Sequence, residues 1–210
     1  MSLFKNKYRI ETTRLKSWDY SWPGWYYVTI CTKKMQCFFG EIIDEKMHRS
    51  DIGEIAYRCW VEIPNHFRYV ELDEFEIMPN HVHGILVIND RKRVSNPHRG
   101  RNVPWNVSTK GKNNISIDLR RRMSHISPES GSLGVVIRLF KSAVSNEYRA
   151  SGLSAFGWQE RFYDHVIRNE NDLRRIRLYI RNNVLSWEFD RNKPPTFLMR
   201  EQDRLGSDRR

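Results

Sequence analysis

The 210-residue chain is short of the features that would place it outside a cell or in a bilayer. Its three cysteines, Cys31, Cys37 and Cys59, are an odd number and form no Cys-x-x-Cys pair. They read as free thiols in a reducing compartment, which excludes a disulfide framework. The start, Met1-Ser-Leu-Phe-Lys-Asn-Lys, lacks the apolar run of a secretory signal. No stretch approaches the ~20 apolar residues of a membrane span. A basic amphipathic helix with a clean apolar face is also missing, which argues against a membrane surface as partner. There is no internal repeat. A cytoplasmic protein with no membrane partner is expected.

Acidic residues are the other shortage: 25 against 36 basic ones, for a net charge of +11 and a pI of about 9.8. Such a surplus favours a polyanion, because each phosphate neutralised releases a counterion. The chain is otherwise well supplied. It is 39% hydrophobic and 12% aromatic, enough for a compact core. Seven Trp and nine Tyr can fill that core or stack on unpaired bases.

Patterning along the chain predicts alternating strands and helices. Tyr26–Thr32 reads as a strand, and residues 37–43 as a weaker one. Residues 50–65 carry Ile52, Ile55, Ala56, Cys59, Trp60 and Ile63 on one helical face, with Ser50 or Asp51 as cap and Pro64 near the stop. Residues 67–78 and 81–88 read as a hairpin, broken at Pro79, which lacks a ladder donor. Helical spacing returns over 132–149 and again over about 170–183, with a strand at 161–167 between them. The expectation is an α+β, ferredoxin-like, RRM-related fold, an antiparallel sheet with helices packed on one face.

Residues 90–130 change character. Arg91, Lys92, Arg93, Arg99, Arg101, Lys110, Lys112, Arg120, Arg121 and Arg122 stand among Asn, Ser, Pro and Gly, and Asp118 is the only acid between Arg91 and His125. This reads as a basic, flexible insertion within one domain of residues 1–190, followed by a polar tail over 191–210. Its arginines are candidate phosphate contacts.

Two pairs of residues carry candidate chemistry. His81 and His83 flank Val82 on a predicted strand, so both imidazoles point to one face and can share a divalent metal. The same spacing also suits a polar pair on an exposed face. Tyr179 and Asn183 lie one helical turn apart. The Asn183 carbonyl oxygen is a candidate third ligand for a hard cation. A tyrosine beside that cation gains as a nucleophile, since its ordinary pKa is about 10 and nearby positive charge favours the phenolate. Core packing of Tyr179 and helix capping by Asn183 is the alternative. Tyr163, Asp164 and His165 look like an acid–base group, but strand alternation splits them between faces. Trp158, Gln159 and Glu76 read as structural.

Three segments together resemble the REP-associated tyrosine transposases, a branch of the single-tyrosine HUH transposases. They are Arg14–Thr32, then Met78-Pro-Asn-His-Val-His-Gly84, then Trp158–Arg168 with Tyr179-Ile-Arg-Asn-Asn183. Order and spacing agree over roughly residues 14–190, the basic insertion apart. One departure is Val184, where the family usually has Pro. The resemblance implies His81, His83 and Asn183 as metal ligands, Tyr179 as nucleophile, and Mg²⁺ or Mn²⁺ as cofactor. It implies guide binding by Arg14, Asp19 and Tyr20 beside a DNA hairpin. The implied reaction cuts and rejoins single-stranded DNA through a 5′-phosphotyrosine, by a monomer or homodimer. A non-catalytic nucleic-acid-binding module of the same fold, and a metal-dependent nuclease using water, are the competing readings.

Overall fold

The structure is a computed structural model that describes residues 15, 17–90, 131–152, 155–190 and 192–193. Arg14, Arg120, Arg121, Arg122, the rest of the basic insertion and most of the 191–210 tail lie outside the described residues.

The main sheet has four strands: β1 (Gly24–Cys31), β4 (Val70–Met78), β5 (His81–Ile88) and β6 (Tyr163–Ile167). Their order is β4-β5-β1-β6, and every neighbouring pair is antiparallel. A small hairpin of β2 (Gly40–Ile43) and β3 (Lys46–Arg49) stands apart. Its turn residues Asp44 and Glu45 both have positive φ, as a two-residue hairpin turn requires. The helices are α1 (Asp51–Val61), the short α2 (Ile63–His66), α3 (Leu133–Ala150) and α4 (Glu170–Asn182). In chain order the sheet and its long helices run β1-α1-β4-β5-α3-β6. That is the split βαβ arrangement, in which the hairpin partner β5 sits between β1 and β4.

Strand alternation sends two sets of side chains to opposite faces. Tyr26, Val28, Ile30, Val82 and Leu86 meet α1 and α3 in the larger core, with Trp60 and Phe140 edge to face at 5.1 Å. Gly84 belongs to this face because a Cβ there would lie 2.2 Å from the Trp60 ring. The expected helical layer on one face is therefore present. It has a counterpart: α4 lays Leu173, Ile176 and Ile180 against Tyr27, Ile85 and Ile167 on the other face.

Several boundaries differ from the sequence reading, each for a local reason. The strand expected over 37–43 begins at Gly40. Phe39 is a fully buried plug whose backbone bonds to Pro79 O and to the Ser50 amide, so it has no ladder partner. The helix expected over 50–65 starts as predicted, with Ser50 accepting from the Gly53 amide. It ends at Val61, and Pro64 instead sits in the first turn of α2, where its missing N–H costs nothing. Pro79 and Asn80 make the two-residue turn between β4 and β5, with Met78 paired to His81. Among the described residues, no helix is long and apolar enough to cross a membrane.

Candidate active site

The site lies on the α4 face of the sheet. β5 turns His81 and His83 toward that face, and both are fully buried. Their Nε2 atoms are 2.8 Å apart. Two facing ring nitrogens at that distance need a proton or a cation between their lone pairs.

The neighbours decide where the protons sit. The Asn80 Nδ2 donates to Met35 O at 3.0 Å and to Asn192 O at 2.6 Å. Its Oδ1 therefore faces His81 Nδ1, at 2.7 Å, as an acceptor. The network thus assigns the His81 proton to Nδ1 and leaves its Nε2 lone pair for a ligand. His83 is held differently. Its Nδ1 lies 2.8 Å from the Tyr27 hydroxyl and 3.0 Å from Thr29 Oγ1. A hydroxyl can donate or accept, so the His83 proton can sit on either nitrogen. With the proton on Nε2, His83 donates to His81. With it on Nδ1, both Nε2 lone pairs face the same point.

A carboxylate completes this group, and sequence reading missed it. Asp190 Oδ2 is 3.9 Å from His81 Nε2, and its side chain is 2% exposed. His81, His83 and Asp190 each offer a ligand atom within 4.8 Å of the others, a set able to hold a metal ion. From the sequence, Asp190 is only the last residue before the polar tail of 191–210. A 3-10 turn, Trp187–Phe189, instead carries it back: Trp187 is buried, 6.1 Å ring to ring from His81. No periodicity marks such a segment. Only the Trp among polar residues hinted that it docks.

α4 brings Tyr179 to the same point. Its hydroxyl is 3.4 Å from His83 Nε2, its ring lies 5.2 Å from His83, and its side chain is 41% exposed. Asn183, one turn on, is 2% exposed. Its Oδ1 is buried and, among the described residues, accepts no hydrogen bond; the same holds for Asp190 Oδ2. Orphaned buried oxygens are costly unless something charged or protic satisfies them. Two imidazoles and the Asp190 carboxylate fit a divalent cation, and the Asn183 oxygen shares a groove with Asp190. Tyr179, Asn183 and Asp190 all line one open groove of about 600 Å³.

The remaining predicted residues are spread over both faces of the sheet. Asp19 Oδ1 accepts from the Ser21 amide and hydroxyl, at 2.8 and 2.7 Å. Tyr20 accepts from the Leu15 amide at 3.2 Å, and its ring packs 5.9 Å from Tyr26. This segment precedes Gly24, which pairs with Ile88 at the end of β5 away from His81. Trp158 packs among Phe39, Phe140 and Phe156 on the opposite face. Glu76 pairs with His83 across β4 and β5, and burial raises its carboxyl above the ordinary range. Tyr163 and His165 face the groove, while Asp164 is turned to the other side and buried.

Comparison with known proteins adds a sequence relative. The chain is 36% identical over 180 residues to an uncharacterized protein of Haemophilus influenzae, covering 86% of this chain and 91% of that one. No protein-family model matches. Among solved structures, a REP-associated tyrosine transposase bound to a REP hairpin aligns with a TM-score of 0.49 and 15% identity, over 84% of this chain and 74% of that one. A candidate transposase from Deinococcus radiodurans aligns with a TM-score of 0.34 and 13% identity, over 81% and 97%. Likenesses this remote carry nothing further.

Proposed function

We propose that this chain, which belongs to one family with the uncharacterized Haemophilus influenzae protein, cleaves and rejoins single-stranded DNA through Tyr179. The observation that carries the reading is the 3.4 Å approach of the Tyr179 hydroxyl to His83 Nε2, beside the facing His81 Nε2. A buried packing tyrosine would not sit 41% exposed above a histidine pair. The sequence resemblance and the net charge of +11 support DNA as the substrate.

In this reading His81, His83, Asp190 and Asn183 hold Mg²⁺ or Mn²⁺. When bound, the cation supplies positive charge to a phosphate oxygen and lowers the barrier to attack. Asn80 fixes the His81 tautomer, and the Tyr27 or Thr29 hydroxyl accepts a hydrogen bond from the His83 Nδ1–H, which leaves its Nε2 lone pair free for the cation. Tyr179 loses its proton and its oxygen bonds to phosphorus as the bond from phosphorus to the 3′ oxygen breaks. The 3′ oxygen takes up a proton and leaves as a hydroxyl. The 5′-phosphotyrosine keeps the bond energy, so the reverse step rejoins strands without a nucleotide cofactor. Arg14, Asp19 and Tyr20 read a guide beside a hairpin, and Arg120, Arg121 and Arg122 contact phosphates.

A denaturing gel of the protein with labelled single-stranded DNA and Mn²⁺ tests this. A covalent adduct is expected for the wild type and none for Tyr179→Phe, which removes one hydroxyl. An adduct retained in Tyr179→Phe overturns the assignment. Free cut product without adduct would indicate a water-using nuclease instead.

A further inference from the structure

The groove above Tyr179 extends well beyond the reacting atoms. β6 is an edge strand, and Tyr163 and His165 alternate on the face it turns to α4. On α4, Asp172, Arg175, Tyr179 and Asn183 recur at three- and four-residue intervals, one stripe along the helix. Asp172 anchors the far end: it accepts from His165 Nε2 and from Arg175 Nη2, each at 2.7 Å. Seven residues separate Asp172 from Tyr179, about 10 Å of helix axis. Arg175 lies one turn from Tyr179, within the reach of one nucleotide. Its side chain is 78% exposed, and Asp172 takes only part of its N–H fork.

Exposed aromatic rings frame the same groove. Tyr163 is 42% exposed and Phe189 is 92% exposed. Among the described residues a phenylalanine so placed buries almost nothing, and its apolar area faces the groove. Exposed rings over an apolar floor, with a cation at one end, match the chemistry of an unpaired nucleotide.

We propose that this groove seats the nucleotide next to the scissile phosphate, its base against Tyr163 and its phosphate at Arg175. The assignment relative to the scissile phosphate rests on Tyr179 being the nucleophile. Seating of an unpaired strand does not. Phe189 closes the other side of the base, and Asp172 holds Arg175 and His165 in place.

The test is binding of a fluorescent thymidine dodecamer to the full chain without metal, with thermal melting of each variant alongside. Tyr163→Ala is expected to weaken binding about 10-fold, and Tyr163→Phe to leave it unchanged, because stacking uses the ring and not the hydroxyl. Arg175→Ala is expected to weaken binding and lower the salt slope by roughly 0.7, one phosphate contact on a single strand. Unchanged affinity in Tyr163→Ala and Arg175→Ala overturns the proposal, whatever the adduct gel shows. Lost affinity in both, with no adduct from the wild type, keeps the groove as a strand seat and refutes the Tyr179 chemistry instead. Ultraviolet cross-linking of a bromodeoxyuridine-substituted dodecamer gives a second readout. A cross-link to Tyr163 or Phe189 supports the seat, and cross-links confined to other regions refute it.

Discussion

At the scale of single residues, the open competition is between Asn183 and Asp190 as the ligand that joins the histidine pair. Among the described residues, both oxygens are buried without a hydrogen bond. Asp190 brings charge as well as a lone pair, and a formal charge is the larger attraction to a divalent cation at low dielectric. Asp190→Asn is therefore expected to weaken Mn²⁺ binding more than Asn183→Ala, and excess Mn²⁺ should restore the Asn183 variant. His83→Ala should abolish tight binding. Titration calorimetry with Mn²⁺ measures all three. Equal affinity of Asp190→Asn and wild type would remove Asp190 from the set. These residues were unequally legible in the sequence. His81 and His83 could be read because strand alternation is a strict period of two. Tyr179 and Asn183 could be read because a helical turn is. Asp190 could not, since its position depends on Trp187 docking on His81 and on Asn80 gripping the Asn192 carbonyl. Asn80 read only as a turn residue, although it orients His81.

At the scale of elements, the question is what fixes α4. Its apolar face is narrow, Leu173, Ile176 and Ile180 against three buried residues of the sheet. A second attachment comes from β4, whose register slips between Leu72 and Phe75. That bulge turns Asp73 and Glu74 toward α4. Arg177 grips Asp73 through Nε at 2.8 Å and Nη2 at 2.6 Å, and Arg181 pairs with Glu74. These arginines bracket Tyr179 in sequence. Arg177→Met is expected to cost about 1 kcal/mol of stability, the upper range for a partly exposed pair. It should slow adduct formation further than that loss explains, because a misplaced nucleophile is costly. Adduct kinetics and thermal melts on the same preparation separate the two effects. A rate equal to wild type would make the clamp purely structural. The hydrogen bond to Arg177 holds the Asp73 carboxyl below the ordinary aspartate range. A depressed carboxyl contributes above its unfolded pKa and stops contributing as pH falls through the folded value. The clamp is thus complete above about pH 4 and fails only in stronger acid. The bulge was invisible in sequence, where residues 67–78 read as one unbroken strand. The order of strands and long helices was legible, because periodicity switches cleanly between two and 3.6.

At the scale of the whole molecule, the two candidate sites lie toward opposite ends of the sheet. His81 lies at one end of β5 and Ile88 at the other. The five steps from His83 to Ile88 span about 17 Å of strand. Near Ile88, Gly24 begins β1, just after the segment that holds Asp19 and Tyr20. The Leu133 amide donates to Tyr20 O at 3.0 Å. Both attachment points of the insertion lie at this end of the sheet, because residues 91–130 connect Asp90, just after β5, to Gly131, two residues before Leu133. They carry ten of the 36 basic residues and only two acids, Asp118 and Glu129. Charge of that kind attracts any phosphate backbone without reading its sequence. Replacing 91–130 by a short Gly/Ser linker is expected to weaken hairpin, single-strand and duplex binding alike and to flatten the salt dependence. Adduct formation at saturating DNA should stay near wild type, because the histidine pair and α4 are untouched. Selectivity should survive as well: the wild type and the deletion should both prefer a hairpin with a single-stranded 5′ extension over a blunt duplex. Tyr20→Ala should lose that preference, provided its melt shows that the Tyr20–Tyr26 packing is not essential to folding. Titrations of these DNAs at two salt concentrations measure both effects. Equal affinity of the wild type for extended hairpin and blunt duplex would sink guide reading by residues 14–20 and leave the basic segment as the main source of DNA affinity.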